Sequence, residues 1–165
     1  MSLTSYKTTY CGKLREDNIG ETHTLSGWVA NVRDLGGIIF VEMRDKTGRF
    51  QVVADPKINA EIHNVFQELK DEYVIQVTGK ISQRPEDTYN AEHETGEIEI
   101  YPTNVEILSR SKLLPFQLNT DETSEDVRLR YRYLDLRTGK VHNNLILRHK
   151  VCSAIRNYLD KLDFT

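Results

Sequence analysis

The 165-residue sequence has little of what enzymes use to do chemistry. No GxxxxGKS or GxxxxGKT run is present to cradle a phosphate, no HExxH pair to hold zinc, and no GxSxG elbow to expose a serine. Two cysteines occur, Cys11 and Cys152, far apart and in no CxxC pair, which fits a reducing, cytoplasmic setting better than a disulfide framework. The five histidines (His23, His63, His93, His142 and His149) lack metal-ligand spacing, so no metal is expected. Asp135 and the Glu97/Glu99 pair have no partner nucleophile, and no catalytic residue is assigned. No apolar run is long enough to span a bilayer, and the N-terminus lacks a charged-then-apolar signal, so no membrane partner is expected.

Excess positive charge is missing too. Twenty-two Lys and Arg against 25 Asp and Glu give a net charge of −3, which argues against a generally basic nucleic-acid protein. The charge is unevenly spread, however. Basic against acidic counts are 7 and 7 over residues 1–55, 4 and 11 over 56–108, and 11 and 7 over 109–165, or balances of 0, −7 and +4. A polyanion would therefore have to approach the first or last segment.

What is present begins with "GGIIFVEMRDKTGRFQVVADP", residues 36–56. Turn chemistry at Lys46-Thr47-Gly48 predicts an antiparallel hairpin of Ile38–Arg44 with Arg49–Ala54. With Asp45 opposite Gly48, one face carries Ile39, Val41, Met43, Phe50, Val52 and Ala54 and must be the core side. The other carries Phe40, Glu42, Arg44, Arg49, Gln51 and Val53. Phe40 thus stands among charges and an amide. It is either covered by a second layer, a single exposed apolar residue, or a stacking platform of the kind that holds single-stranded nucleic acid.

Around the hairpin, a short helix is expected near Lys13–Asp17, and "THTLSGWVANVRD" (22–34) reads as a first strand with a bend or bulge at Gly27. In 58–72, Ile58, Ile62, Val65, Phe66 and Leu69 recur at helical spacing after the Asp55-Pro56 break. Residues 72–84 and 96–108 return to strand composition, the latter interrupted at Pro102. Three strands, a helix and two strands is the order of a mainly β, five-stranded Greek-key barrel, the OB-fold, which binds oligonucleotides across strands two and three. Residues 109–140 read as a linker or hinge, ending in the basic and aromatic stretch "RLRYRYLDLRTGK". A helix over 141–162 carries Leu147, Val151, Ala154, Ile155, Tyr158 and Leu162 on one stripe.

"YCGKLR" (10–15), "TLSGWV" (24–29), "RDLGGIIFVEMRDKTGRFQVV" (33–53), "YVIQVTG" (73–79), "TGEIEI" (95–100), "LPFQLN" (114–119) and "LRYRYLDLR" (129–137) follow one another in a single order. Together they closely resemble the N-terminal part of the bacterial-type aspartyl-tRNA synthetases, collinearly from about Thr9 to Phe164. The resemblance implies an anticodon-binding domain over residues 1–108, a hinge over 109–140, and the first helix of a class II catalytic domain over 141–165. It implies that Phe40 stacks under the central anticodon base, that Gln51 hydrogen-bonds anticodon bases, that Glu99 reads the first base, and that Arg33 lies near the third base and the backbone. The partner implied is the anticodon loop of aspartate tRNA. ATP and magnesium would act in a catalytic domain beyond this chain, the parent enzyme would be a homodimer, and this piece alone would be inactive, with Met1-Ser2-Leu3 as an appended leader.

Two departures stand out. Where the family commonly has three arginines before the aspartate of "RD", this sequence has Asn31-Val32-Arg33. Phosphate contacts would then fall to Arg84, Lys70 or the basic 128–132 stretch, with Asn31 kept in the site as a polar residue. Asp163 stands where a glycine is usual. The competing readings are a stand-alone, sequence-tolerant single-strand-binding OB protein and a dimerisation fragment whose functional surface is the C-terminal helix.

Overall fold

The structure, a computed structural model, describes residues 4–118 and 122–165. The expected leader and the centre of the expected linker, residues 119–121, lie outside the described residues. The chain divides into two compact units, Met1–Lys112 and Leu113–Thr165.

In the first unit, β1 (Thr22–Leu35), β2 (Ile38–Arg44), β3 (Arg49–Ala54), β4 (Val74–Gln83) and β5 (Ile98–Ser109) close into a barrel of order β1-β2-β3-β5-β4. Helix α1 (Ala60–Gln67) joins β3 to β4 as the sequence predicts. The hairpin has the expected register, with Arg44 opposite Arg49, Ile39 opposite Ala54, and the Asp45 N–H donating to the Gly48 carbonyl at 3.0 Å. All six residues assigned to its core face are buried, among Leu25, Val29, Phe66, Ile75, Val77, Ile81, Ile98 and Ile100. Period-two alternation on a closed sheet puts every second side chain into one shared interior, which is why so short a hairpin buries a complete face.

Several local expectations need correction. The short N-terminal helix is two 3₁₀ turns, Cys11–Lys13 and Glu16–Asn18. The bulge in β1 falls between Val29 and Asn31, not at Gly27. Gly27 serves a close approach, since a Cβ there would collide with the Arg44 carbonyl oxygen. Pro102 does not interrupt β5; the strand runs through it, and the register slips one residue opposite Thr78 and Gly79. Helix α1 is shorter than the apolar spacing implies because the Asn59 side chain caps it, accepting from the Glu61 and Ile62 N–H groups at 3.1 Å. Ile58 therefore precedes the helix and is exposed.

The N-terminal segment is fixed to the tip of the hairpin. Asp45 Oδ2 accepts from the Cys11 N–H at 2.8 Å, and Thr47 Oγ1 accepts from the Gly12 N–H at 2.9 Å. Gly12 allows this approach, as any Cβ would run into the Thr47 carbonyl. Cys11 is fully buried, and burial first, then the nearby Asp45, hold its thiol protonated. It is a packing residue.

In the second unit, α2 (Glu125–Arg130) and α3 (Arg132–Asp135) turn around the buried Asp135, whose carboxylate accepts from Arg128 Nε at 2.8 Å and pairs with Arg132. Two of the basic residues in the 128–132 stretch are thus engaged internally. Helix α4 spans Gly139–Asp160, two residues earlier than its apolar stripe predicts, and Leu147, Val151, Ile155, Tyr158 and Leu162 on that stripe are exposed.

Replacing Gly79 by alanine drives a methyl group into the Tyr101 carbonyl at the β4–β5 slip. The expected outcome is a loss of about 1–3 kcal/mol in urea unfolding monitored by circular dichroism.

Candidate nucleic-acid interface

On the outer surface, cross-strand pairing builds two rows, because residues directly opposite one another project to the same face. The first runs Asn31, Glu42, Gln51, Glu99 and Ser82 across β1, β2, β3, β5 and β4. The second pairs Arg33 with Phe40 and Phe40 with Val53, and continues to Tyr101, which shares a small recess with Val53 and pairs with Lys80 on β4. Alternation places each of these side chains outward, opposite to Val32, Val41, Val52 and Ile100.

The first row contains a hydrogen-bonded chain. Gln51 Nε2 donates to Glu99 Oε2 at 2.8 Å, and the Tyr101 hydroxyl donates to Glu99 Oε1 at 2.9 Å. Arg84 Nε lies 4.0 Å from Glu99 Oε2 and donates to the Ile98 carbonyl at 3.1 Å. At the other end Arg33 Nη2 reaches Gln51 Oε1 at 3.4 Å, a long contact. Glu99 is only 3% exposed and Gln51 7%. A carboxylate so enclosed needs this set of donors and a cation. Burial lowers the Arg84 pKa while Glu99 opposes the shift, and a guanidinium stays charged regardless. Burial, then the hydrogen bond to Glu99, push the Tyr101 phenol up to about 12.

Of the residues predicted for RNA contact, Arg33, Gln51, Glu99 and Arg84 are thus brought into one network, with Phe40 beside Arg33 in the adjacent row. Phe40 is half-buried, neither sealed under a second layer nor standing free. Asn31 is exposed at the β1 end of the first row. Of the two positions where cations are missing, only Asn31 faces outward; Val32 pairs with Val41 and packs against the core. Arg84 is 9% exposed and faces Glu99, so it does not present an open guanidinium to a phosphate. Lys70 is exposed in the loop between α1 and β4, and among the described residues it shares no hydrogen bond or ion pair with the row.

Sequence reasoning passed over Tyr101 and the partners of Glu42. Tyr101 was findable, since the alternation in "GEIEIY" puts it on the face of Glu99. Glu42 pairs with Arg49 Nη1 at 2.6 Å and His93 Nε2 at 3.2 Å. His93 comes from the loop between β4 and β5, and nothing in its local sequence signals that contact.

A closed five-stranded barrel of this order, with a polar and aromatic outer face on β2 and β3, is an oligonucleotide/oligosaccharide-binding fold. The chain belongs to the tRNA anticodon family of OB-fold nucleic acid binding domains, which matches residues 23–108, and residues 124–165 match the tRNA synthetases class II (D, K and N). The chain is 46% identical over 158 residues to an aspartate–tRNA(Asp/Asn) ligase of Trichodesmium erythraeum, with 93% of this chain and 27% of the relative covered. It is 44% identical over 160 residues to an aspartate–tRNA ligase of Bacillus licheniformis, with 96% and 27% covered. It spans about a quarter of the length of these relatives. Among solved structures, the aspartyl tRNA synthetase of Entamoeba histolytica shares the fold with a TM-score of 0.85 at 21% identity, over 98% of this chain and 39% of that one.

Alkaline titration followed by phenolate absorbance tests the network. One of the eight tyrosines should titrate near pH 12, well above the ordinary value near 10, and Tyr101→Phe should abolish that late step. Because the folded-state value is raised, the stability it contributes is complete below about pH 10 and is lost as pH rises toward 12.

Proposed function

We propose that the outer face of this barrel recognises the anticodon loop of aspartate tRNA, as part of an aspartate–tRNA ligase. The observation that carries the reading is the buried Gln51–Glu99 pair beside half-buried Phe40, in a domain of the anticodon-binding family. An aromatic ring stacks on any base, whereas an amide and a carboxylate separate donor edges from acceptor edges. Phe40 is assigned to the central base, Gln51 to hydrogen-bonding of bases, Glu99 to the donor edge of a first-position guanine, and Arg33 to the third base and backbone. Arg84 acts through Glu99. Asn31 contributes a polar contact, and Lys70 a phosphate contact at most.

In this reading residues 1–108 select the tRNA, 109–140 form the hinge, and 141–165 begin a class II catalytic module. ATP and magnesium would activate aspartate in the remainder of such an enzyme, a cytoplasmic homodimer, and the isolated 165-residue chain would bind tRNA without forming aspartyl-adenylate. Among the described residues no helix is long and apolar enough to cross a membrane and no cluster of ligating side chains could hold a metal.

Fluorescence anisotropy with an aspartate anticodon stem-loop provides the test. Phe40→Ala should weaken binding by about 1–3 kcal/mol for the lost stack, and Gln51→Ala should weaken it in the same direction, both with the barrel still folded by circular dichroism. Equal affinity for a poly-pyrimidine strand would favour a sequence-tolerant single-strand binder instead. Wild-type affinity in both variants would move the site elsewhere.

A further inference from the structure

We infer that the Tyr101 hydroxyl is a positioning group that sets base selectivity at Glu99, an inference that rests on the outer face being the anticodon surface. Tyr101 lies two residues beyond Glu99 on β5 and so projects from the same face. Its hydroxyl donates to Glu99 Oε1 at 2.9 Å, while Gln51 Nε2 occupies Oε2 at 2.8 Å. A carboxylate offers about four lone-pair sites, so one on each oxygen is spent within the protein and the others are left for a base edge that reaches this side chain, itself only 3% exposed.

The phenol stays protonated far above neutral pH, and its single proton is committed to Glu99. Tyr101 therefore offers no donor to an approaching base, and the Glu99 end of the row presents acceptors. A base edge carrying N–H groups is satisfied there, while a carbonyl or ring-nitrogen edge would meet lone pair against lone pair. Guanine, with its N1–H and exocyclic amino group, fits this demand; inosine keeps the N1–H and lacks the amino group.

Without the hydroxyl, Glu99 Oε1 gains a free lone pair and the carboxylate loses one of the two hydrogen bonds that fix its plane. Water can then satisfy it in place of a base donor, and the preference should decline even though Tyr101 need not touch the RNA.

The experiment compares the 165-residue chain and its Tyr101→Phe variant for affinity to two aspartate anticodon stem-loops, one with guanine and one with inosine at the first anticodon position. The wild type should favour guanine. In Y101F that preference should fall about three- to tenfold, the range set by one hydrogen bond, with affinity for the inosine loop within about twofold of wild type and the barrel, though less stable, still folded at the assay temperature. A Y101F protein that keeps the wild-type ratio, or binds both loops more weakly by one factor, overturns the inference and leaves the anticodon reading standing. Y101F unfolded at the assay temperature also overturns it, since the hydroxyl then serves the fold. A wild type that binds neither loop overturns the anticodon reading itself, and this inference with it.

Discussion

The outer face of the barrel is organised around one buried negative charge. Removing the Glu99 carboxylate from water would by itself cost several kcal/mol, and the fold offsets this with an amide donor from β3, a phenol from β5 and the Arg84 guanidinium just past the end of β4. These groups meet where the barrel is joined by its least extensive pairing. The parallel contact between β3 and β5 has only two registered pairs, Gln51 with Glu99 and Val52 with Ile100. The side-chain bond from Gln51 to Glu99 therefore reinforces the seam where the backbone ladder is short. The amide that would meet a base and the contact that helps close the barrel are the same residue.

The hairpin that carries Phe40 and Gln51 is restrained at its tip as well. Cys11 and Gly12 donate backbone N–H groups into Asp45 and Thr47 of the turn, and Thr95 of the β4–β5 loop donates its hydroxyl to the Arg49 carbonyl at 2.6 Å. At the opposite end His63 of α1 is 2.9 Å from the Gly37 carbonyl in the turn between β1 and β2. A surface held at both ends gives up little conformational entropy when a flexible single strand settles on it, so more of the contact energy is available for telling one base from another.

Alternation made the inner face of the hairpin legible, because a closed sheet obeys a period of two whatever its loops do. It also put Phe40 and Gln51 on the outer face, where they lie, whereas Glu99 was pointed to only by the family resemblance. Depth was a different matter. An outward strand position reads as solvated, yet Gln51 and Glu99 are nearly inaccessible, because their own mutual hydrogen bond and the neighbouring Tyr101 and Arg84 enclose them. Arg84 shows the same limit, since in sequence it is a cation before a proline and only the folded barrel makes it a counter-ion. Gly27 reads as an irregularity, but its reason, like that of Gly79, is the approach of a neighbouring strand, a long-range fact that no local window contains. The resemblance to a known family pointed to specific residues where periodicity could only name a face, and it could not show that Val32 turns inward.

Charge is where the sequence and the surface differ most usefully. The segment containing Glu99 carries seven more acidic than basic residues, which taken alone would repel RNA. On the two outer rows, however, each carboxylate has a cation within 4.0 Å: Glu42 has Arg49, with His93 close by, and Glu99 has Arg84. Arg33 and Lys80 stand at opposite ends of the second row. The rows themselves thus hold two cations, Arg33 and Lys80, against two carboxylates, and with Arg49 and Arg84 paired to those carboxylates from beside the rows, the face carries no excess of negative charge. A polyanion can approach such a face while the carboxylates keep their acceptor character, because neutralisation removes long-range repulsion and leaves short-range hydrogen bonding intact. Under the proposed anticodon reading, that separation is what would let a carboxylate take part in reading RNA, and it would make a further arginine at position 31 a matter of affinity more than of selectivity.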